Sequence, residues 1–393
     1  MRTKLGPKIL VVTFALAATT GCGDQGGSVG DAGSDAVVES GPPATFDGSV
    51  PSWRTSIVKW QWVELPGTTL ADVAVKNPVN GETVHPNGRI DAWNGLAANR
   101  DDDRVYLACA GGHADWAGNE VYMIDFALEK PTWTMLRAPT TTIATDVPYY
   151  SDGRPSSTHL YYALQFVRAK NRIFKMSAGS VWGSGNSNNT FVDAFDLAKG
   201  DWDAKGTWTD SPAGNAINRP YAQDPVTDDV FTFGAGKFWR WTSSTGTWKS
   251  LGDKPSYAND DIVGGAPTVA DPVRARAVFF VNAYKPGQGL AVAYAGGVTD
   301  LTVGGPAAAQ VTKTQNGIQF VPSEDAFVLK TDKGGEVVRI DPTSYAATVL
   351  PTTGPTPPDA INGVYTRFLY LPYLKGIVYL PSHAANFWFL ATE

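Results

Sequence analysis

Histidines and arginines in this 393-residue chain stand where they could carry acid–base chemistry. The chain has four histidines, which are His85, His113, His159 and His383. An imidazole accepts or donates a proton near neutral pH, and an arginine fork holds a carboxylate or sulfate through two parallel hydrogen bonds. Arg154 shortly precedes His159, and Arg219 shortly precedes Tyr221. These residue types predict a site that removes a proton next to a bound carboxylate.

The roles in such a site follow from the chemistry of each side chain. His113 or His159 is the predicted base, Tyr221 is the candidate proton donor, and Arg154 with Arg219 clamps the carboxylate. Asp115 and Asn119 would orient His113. The remaining predicted substrate contacts are Arg89, His85 and His383. This chemistry needs no cofactor.

Each of these residues also has a plainer interpretation. A single histidine is most often a structural or surface residue, and each arginine could form a turn-stabilising ion pair, for instance with Asp152 or Asp91. A metal ion held by His113, Asp115 and His159 is a further alternative, although their spacing is not specific for one. The aromatic residues that could pack on sugar rings are Tyr149, Tyr150, Tyr161, Tyr221 and Trp116, but most aromatics in such a chain belong to the core.

The stretch around His113 shows which elements would position these side chains. Residues 105–110 and 120–126 have strand composition, and the segment between them contains Gly111 and Gly112. Trp133 opens another short strand. Paired glycines after one strand, a Tyr and an Asp in the next and a Trp in the one after resemble the kelch repeat, the blade unit of one β-propeller family. The resemblance implies an all-β fold made of several such blades.

Repeats of this pattern allow the blades to be counted. Second strands are predicted to begin near residues 105, 172, 230, 277, 326 and 376, a spacing typical of propeller blades. The last blade runs out of chain after three strands, and the isolated strand at residues 56–65 could supply its outer strand. We therefore predict a single propeller of six four-stranded blades at residues 51–393. Seven blades remain the alternative, with a degenerate blade within residues 66–92.

Composition agrees with this fold and excludes some partners. The chain is 43% hydrophobic and only 18% charged, with 41 Gly, 27 Pro and 13 Trp, which favours an all-β protein rich in turns. The formal net charge is -6 and no basic run is present, so nucleic acid is not an expected partner. We expect a monomer.

The amino terminus is predicted to be a processing segment. Basic residues precede a short apolar run at residues 9–18, which is too short to span a bilayer. A small residue directly before Cys22 resembles the bacterial lipoprotein box, which implies a signal peptide at residues 1–21 and lipidation of Cys22. Residues 22–50 are rich in Gly, Ser and Asp and read as a disordered tether. The protein is expected to be exported and lipid-anchored to a bacterial membrane, either in the periplasm or at the cell surface, and an ordinary secretory signal is the alternative.

The propeller topology gives the four histidines a common location. His113 and His383 fall in loops between second and third strands, whereas His85 and His159 fall in segments that lead into a first strand. Those two kinds of loop emerge on the same face of a propeller, and function commonly lies on such loops. We expect all four histidines on one face, in the sector of blades six, one and two.

Two functions fit this arrangement. The first is cleavage of an extracellular acidic polysaccharide by β-elimination, by analogy with propeller polysaccharide lyases that use the same residue types. The second is a non-catalytic surface lipoprotein that binds a glycan or a protein through the same face. A periplasmic structural or assembly factor is a third. The only cysteine besides Cys22 is Cys109, so no intrachain disulfide is expected, and a strand position for Cys109 argues against the copper centre of the galactose oxidase branch.

Overall fold

Six antiparallel sheets of four strands each surround a central channel in the computed structural model. The structure describes residues 50–75, 85, 87–177, 179–183, 189–214, 218–255, 265–281 and 287–393. The first strand of every sheet contributes residues to the channel wall. The sheets are therefore the blades of a β-propeller.

Blades one to three follow one another along the chain. Blade one contains β2 (Ala97–Asn99), β3 (Arg104–Ala108), β4 (Val121–Asp125) and β5 (Trp133–Arg137). Blade two contains β7 (Leu164–Val167), β8 (Arg172–Met176), β10 (Val192–Asp196) and β11 (Asp201–Trp202). Blade three contains β12 (Tyr221–Gln223), β13 (Val230–Gly234), β14 (Lys237–Thr242) and β15 (Thr247–Asp253). A separate pair, β6 (Thr158–His159) and β9 (Gly179–Val181), lies beside blades one and two.

Blades four to six complete the ring. Blade four contains β16 (Thr268–Asp271), β17 (Arg276–Phe279), β18 (Gln288–Ala293) and β19 (Val298–Thr302). Blade five contains β20 (Gly317–Val321), β21 (Ala326–Lys330), β22 (Val337–Ile340) and β23 (Ala347–Val349). Blade six contains β24 (Phe368–Leu371), β25 (Gly376–Tyr379), β26 (Phe387–Ala391) and β1 (Trp62–Leu65). The helical segments are short: Ser52–Thr55, Leu70–Asp72, Gly88–Asp91, Arg168–Lys170, Ala308–Val311, Pro322–Glu324 and Tyr365–Arg367.

Blade six is closed by a strand from the other end of the fold. β1 pairs with β26 in antiparallel register, with Trp62 opposite Leu390 and Leu65 opposite Phe387. Trp62 is buried between blades five and six, where its ring meets that of Tyr379 edge-on at 6.3 Å. This pairing gives the edge of β26 a partner and makes β1 the outer strand of blade six.

Aromatic side chains fill the spaces between blades. Trp133 of blade one packs against Phe387 of blade six with ring centroids 5.7 Å apart, and its indole N–H donates to the Thr68 carbonyl at 3.0 Å. Phe174 of blade two meets Trp241 of blade three at 4.9 Å. The channel itself keeps a free volume of only about 40 Å³. The body of the propeller is therefore packed, and the loops at its two ends are left for function.

The structure confirms the predicted all-β propeller of six four-stranded blades and the closure of the last blade by the amino-terminal strand. Within residues 66–92, the described positions contain no strand, and they carry only the helical turns Leu70–Asp72 and Gly88–Asp91. The predicted signal peptide, Cys22 and nearly all of the predicted tether lie outside the described residues. None of the helices in the described part of the chain is long and apolar enough to cross a membrane.

The closure can be tested by removing its main anchor. Trp62→Ala should lower the free energy of unfolding by about 3–5 kcal/mol, because it leaves a cavity between two blades. Val58→Ala, at a position 63% exposed just before β1, should change it by less than about 0.5 kcal/mol. Urea denaturation of both variants measures the difference. Equal stability of the two variants would contradict an anchoring role for Trp62.

Candidate functional site

A loop of blade one and a connection leading into blade two interlock at one end of the propeller. The loop between β3 and β4 passes so close to β6 that a Cβ on Gly112 would lie 2.6 Å from the Thr158 Cα. Gly112 also has a φ of +77°, a backbone region that favours glycine. Only glycine suits both conditions, so Gly112 sets how closely the two segments approach.

Backbone hydrogen bonds hold this contact in place. Gly111 N donates to the Thr158 carbonyl at 3.1 Å, and Thr158 N donates to the Cys109 carbonyl at 3.1 Å. His113 N donates to the Ser180 and Val181 carbonyls at 3.1 Å each, which ties the loop to β9 as well. The backbones that carry His113 and His159 are therefore fixed relative to each other by the strands beneath them.

The side chains of His113 and His159 meet as a result. Their ring centroids are 6.0 Å apart. His159 is buried, and its Nε2 lies 2.9 Å from Asp115 Oδ2 while its Nδ1 lies 3.3 Å from the Tyr161 hydroxyl. If the Nε2 proton points to the carboxylate, Nδ1 accepts from Tyr161. Asp115, His159 and Tyr161 then form one continuous hydrogen-bonded chain.

Exposure distinguishes the members of this cluster. His113 is exposed and Asp115 and Trp93 are partly exposed, whereas His159 and Tyr161 are buried. The Trp93 ring lies 5.2 Å from the His159 ring. Burial raises the pKa of Tyr161 to about 12, with the Asp115 charge acting in the same direction, so its hydroxyl keeps its proton at neutral pH. We call His113, Asp115, His159, Tyr161 and Trp93 the histidine site.

The other two histidines lie on the loops beside this site. His85 is exposed, and its backbone N–H donates to the Asp115 carbonyl at 2.8 Å. His383 N donates to Asp91 Oδ1 at 2.8 Å, and the side chain is buried. Among the described residues, His383 Nδ1 has no hydrogen-bond partner. Burial, followed by the charge of Arg89, lowers the pKa of His383 to about 4, so it is a neutral structural histidine at physiological pH.

Arg89 is held inside the protein by the carboxylate of Glu120, which is not one of the predicted site residues. Its Nε pairs with Glu120 Oε1, and its guanidinium carbon lies 3.5 Å from the centre of the Trp116 ring. Trp116 Nε1 donates to the same Glu120 oxygen at 2.8 Å. Arg89 and Glu120 are both almost fully buried. The contacts among Arg89, Glu120 and Trp116 therefore stabilise the loop, and the Arg89 guanidinium is not exposed to a ligand.

Arg154 and Arg219, the predicted carboxylate clamp, also have internal partners. Arg154 donates Nε and Nη2 to the two Asp201 oxygens at 2.8 and 2.9 Å, and Nη1 to Asp152 at 2.8 Å. The contact with Asp152 is the turn-stabilising ion pair that was the alternative interpretation of this arginine. Arg219 donates Nη1 to the Phe233 carbonyl. Both guanidinium groups are therefore engaged by other parts of the protein.

Asn119 and Tyr221 have structural contacts in place of the predicted ones. The Asn119 amide donates to Thr140 Oγ1 at 3.1 Å and to the Pro155 carbonyl at 2.9 Å, and its oxygen accepts from Thr140 N at 2.8 Å. The Asn119 amide therefore fixes the loop. Asp115, which was predicted to orient His113, instead contacts His159. Tyr221 is buried in the channel wall, and its hydroxyl donates to the Ser177 carbonyl at 3.2 Å.

Most of the aromatics considered as sugar platforms are buried. This holds for Tyr150, Tyr161, Tyr221 and Trp116, and only Tyr149 is partly exposed. Trp93 was missed because its segment has no strand signal, yet it is the partly exposed indole beside the two histidines. The only sequence signal for Trp93 was its place just before a predicted first strand, where loops of the site were expected.

The described residues do not form a metal centre. No group of three or more His, Cys, Asp or Glu side chains in the described part of the chain is arranged to hold a metal ion. Cys109 follows β3 directly and is fully buried, and burial raises the pKa of its thiol to about 12. It behaves as the small buried hydrophobe expected from the sequence.

Comparisons with known proteins give fold similarity only. No protein-family model and no curated protein matches the sequence. Solved structures similar to this chain include a protein of unknown function from Bacteroides thetaiotaomicron, with 10% identity, a TM-score of 0.47 and coverage of 84% of this chain and 75% of that one. Another is a catalytically inactive virginiamycin B lyase from Staphylococcus aureus with quinupristin, with 13% identity, a TM-score of 0.43 and coverage of 84% and 99%. A nidogen/laminin complex has 10% identity, a TM-score of 0.41 and coverage of 69% and 81%. At these values the similarities carry no argument about function.

The buried His383 should make stability depend on pH. Its ordinary pKa of 6.5 falls to about 4 in the folded protein, so the unfolded chain binds a proton first as pH decreases. The contribution of neutral His383 to the free energy of unfolding is complete above pH 6.5 and is lost as pH falls towards 4. Over that window the unfolding free energy of the wild type should fall more steeply than that of His383→Asn, by up to ~1.4 kcal/mol per pH unit.

Urea denaturation at several pH values measures the two slopes. Carboxyl groups with a raised pKa, such as Asp91 and Asp103, titrate in both the wild type and His383→Asn. The effect of His383 is therefore the difference between the two slopes. Val58→Ala serves as a control and should keep the wild-type slope. Parallel curves for wild type and His383→Asn would contradict the burial of a neutral His383.

Proposed function

We propose that the face carrying the histidine site binds an acidic polysaccharide outside the cell. The observation that carries this proposal is the exposed imidazole of His113, placed beside the hydrogen-bonded Asp115 and His159 and the partly exposed indole of Trp93. An imidazole donates hydrogen bonds to a carboxylate, and a flat aromatic face packs on a sugar ring. His85 adds a second exposed imidazole on the neighbouring segment.

Fixed geometry supports a binding role for this face. His113 is held through its backbone by β9, and His159 is held on both ring nitrogens. A preorganised site loses little conformational entropy when a ligand binds. Because Arg89 and Arg154 are engaged internally, we assign recognition of the uronate carboxylate to His113 and His85 in place of an arginine clamp.

The setting of the protein is part of the same proposal. We infer that the chain is exported with residues 1–21 as its signal peptide and is anchored to a bacterial membrane through a lipid on Cys22. The paired Gly111 and Gly112 and the interblade Trp133 support assignment of the blades to the kelch type. A tethered propeller with its loop face turned to the medium would meet surface or extracellular glycans.

Removing the exposed imidazole should weaken glycan binding without affecting the fold. We expect His113→Ala to raise the dissociation constant for polygalacturonate or alginate about tenfold, because a contact to the carboxylate is lost. Isothermal titration calorimetry on the exported protein measures the dissociation constant. Lys249→Ala removes an exposed positive charge from blade three and should leave the affinity unchanged. Equal loss in both variants, or no binding of any uronate polymer by the wild type, would refute the proposal.

Cleavage by β-elimination is a second candidate, and one observation favours it. The exposed His113 lies against the Asp115, His159 and Tyr161 chain, in which a protonated hydroxyl and a fixed imidazole are already connected. His113 would take the proton next to the uronate carboxylate, and the Tyr161 hydroxyl, which keeps its proton, would return one to the leaving oxygen. The burial of Tyr161 makes binding the better supported of the two functions.

Formation of unsaturated sugars distinguishes the two candidates. If the site is a lyase, absorbance from unsaturated products should appear with one polymer of a uronate panel, and His113→Asn should abolish it. Tyr161→Phe should lower kcat at least tenfold with little change in KM, because only the proton donor is lost. Measurable binding with no product across the panel would leave the non-catalytic function as the correct one.

A further inference from the structure

The opposite end of the channel has a regular arrangement that the histidine site does not involve. In every blade the turn between the first and second strands lies at this end, because the loops of the histidine site occupy the other. In blade three the backbone pairing extends one residue past β12, because Asp224 N donates to the Asp229 carbonyl. The residue after the last paired position of the first strand is, in blades one to six, Arg100, Arg168, Pro225, Pro272, Pro322 and Pro372. Blades one and two thus contribute cations, and blades three to six contribute prolines.

These turns surround a cavity of about 570 Å³. Besides the six turn residues, its wall includes Val226, Val273, Phe320, Tyr370 and Tyr373. Val226 and Val273 follow their prolines directly and are 69% and 66% exposed, which is unusual for valine. A concave and largely apolar cavity with a few polar groups on one side is the usual form of a small-molecule site.

The two arginines differ in how fully they are engaged. Arg168 bonds both oxygens of Asp228, Asp101 Oδ1 and the carbonyls of Pro225 and Val226. Arg100 lines both the channel and the cavity, and among the described residues its guanidinium makes one hydrogen bond, to the neutral Gln223 Oε1 at 2.9 Å. Arg100 is therefore a cation at the floor of an apolar cavity with donors left for a ligand.

The two carboxylates whose charges raise the pKa of Arg100, Asp228 and Asp224, have other hydrogen-bond partners. Asp228 is bound by Arg168, and Asp224 Oδ1 accepts from the backbone N–H groups of Val226 and Thr227. Burial lowers the pKa of Arg100 to about 10; the Asp228 charge raises it, the Arg168 charge lowers it and the Asp224 charge raises it, and the guanidinium stays charged at neutral pH. A carboxylate in the cavity would give this charge a direct partner.

We propose that this cavity binds an amphipathic carboxylate, a medium- to long-chain fatty acid. The carboxylate would bond Arg100 beside blades one and two, and the hydrocarbon chain would lie across the prolines and valines of blades three to five. Four of the lining residues are prolines, which have no N–H to donate to a peptide carbonyl or a sugar hydroxyl. The wall thus suits a ligand with one polar end and an apolar body, and it disfavours a peptide or a glycan.

Calorimetric titration with dodecanoate below its micelle concentration tests this site. We expect one molecule to bind per chain, at least tenfold tighter than 1-dodecanol or dodecyltrimethylammonium. Val273→Asp should weaken dodecanoate binding at least tenfold, because it places a negative charge on the apolar wall. Val349→Asp, at a valine 48% exposed on β23, is the matched control and should bind as the wild type does.

Arg100→Gln tests the head-group contact separately. It should bring the affinity for dodecanoate down to that for 1-dodecanol, and thermal unfolding shows whether the variant folds. If it does not fold, the Val226→Asp variant takes its place and should weaken dodecanoate binding as Val273→Asp does. The proposal would be overturned if dodecanoate did not bind, or if Val273→Asp and Val349→Asp bound it equally well. It would also be overturned if the wild type bound 1-dodecanol, dodecyltrimethylammonium or a short apolar peptide, acetyl-Val-Pro-Val, more tightly than dodecanoate.

Discussion

The pairing of β1 with β26 is the constraint on which the rest of the structure depends. A propeller is stable when every sheet packs on two neighbours, and blade six has only three strands until residues 62–65 join it. That closure places Trp62 between blades five and six and brings Thr68 to the indole of Trp133 in blade one. The circular packing, and with it the position of every loop, follows from this one sheet.

Both ends of the propeller depend on that rigid packing in different ways. At one end, Gly112 lets two loops cross closely enough for His113 and His159 to meet, so the geometry comes from backbone contacts between blades. At the other end, the same turn recurs six times, and it contributes an arginine to the cavity wall in blades one and two and a proline in blades three to six. One scaffold thus presents a polar face and a largely apolar one.

The sequence predicted the frame better than it predicted the partners of single side chains. Regular spacing of strands and the isolated strand before blade one were enough to predict six blades and their closure, because these follow from periodic hydrophobic patterns. Loop placement brought His113 and His159 to the same end for the same reason. The bonds of Arg154 to Asp201 and of Arg89 to Glu120 could not be predicted, since any of several acids could satisfy a guanidinium until distances are known. Two Asp-Pro-Val turns, at residues 224–226 and 271–273, were a visible signal of the second cavity.

The closing strand also affects the order of events during folding. Among the described strands of the propeller, β1 is synthesised first and its partner β26 last. Pairs so distant in sequence form slowly, because the intervening chain must first be confined. During that interval β26 has an unpaired edge that could add to another chain. The folding protein should therefore be most prone to aggregation just before β1 pairs with β26.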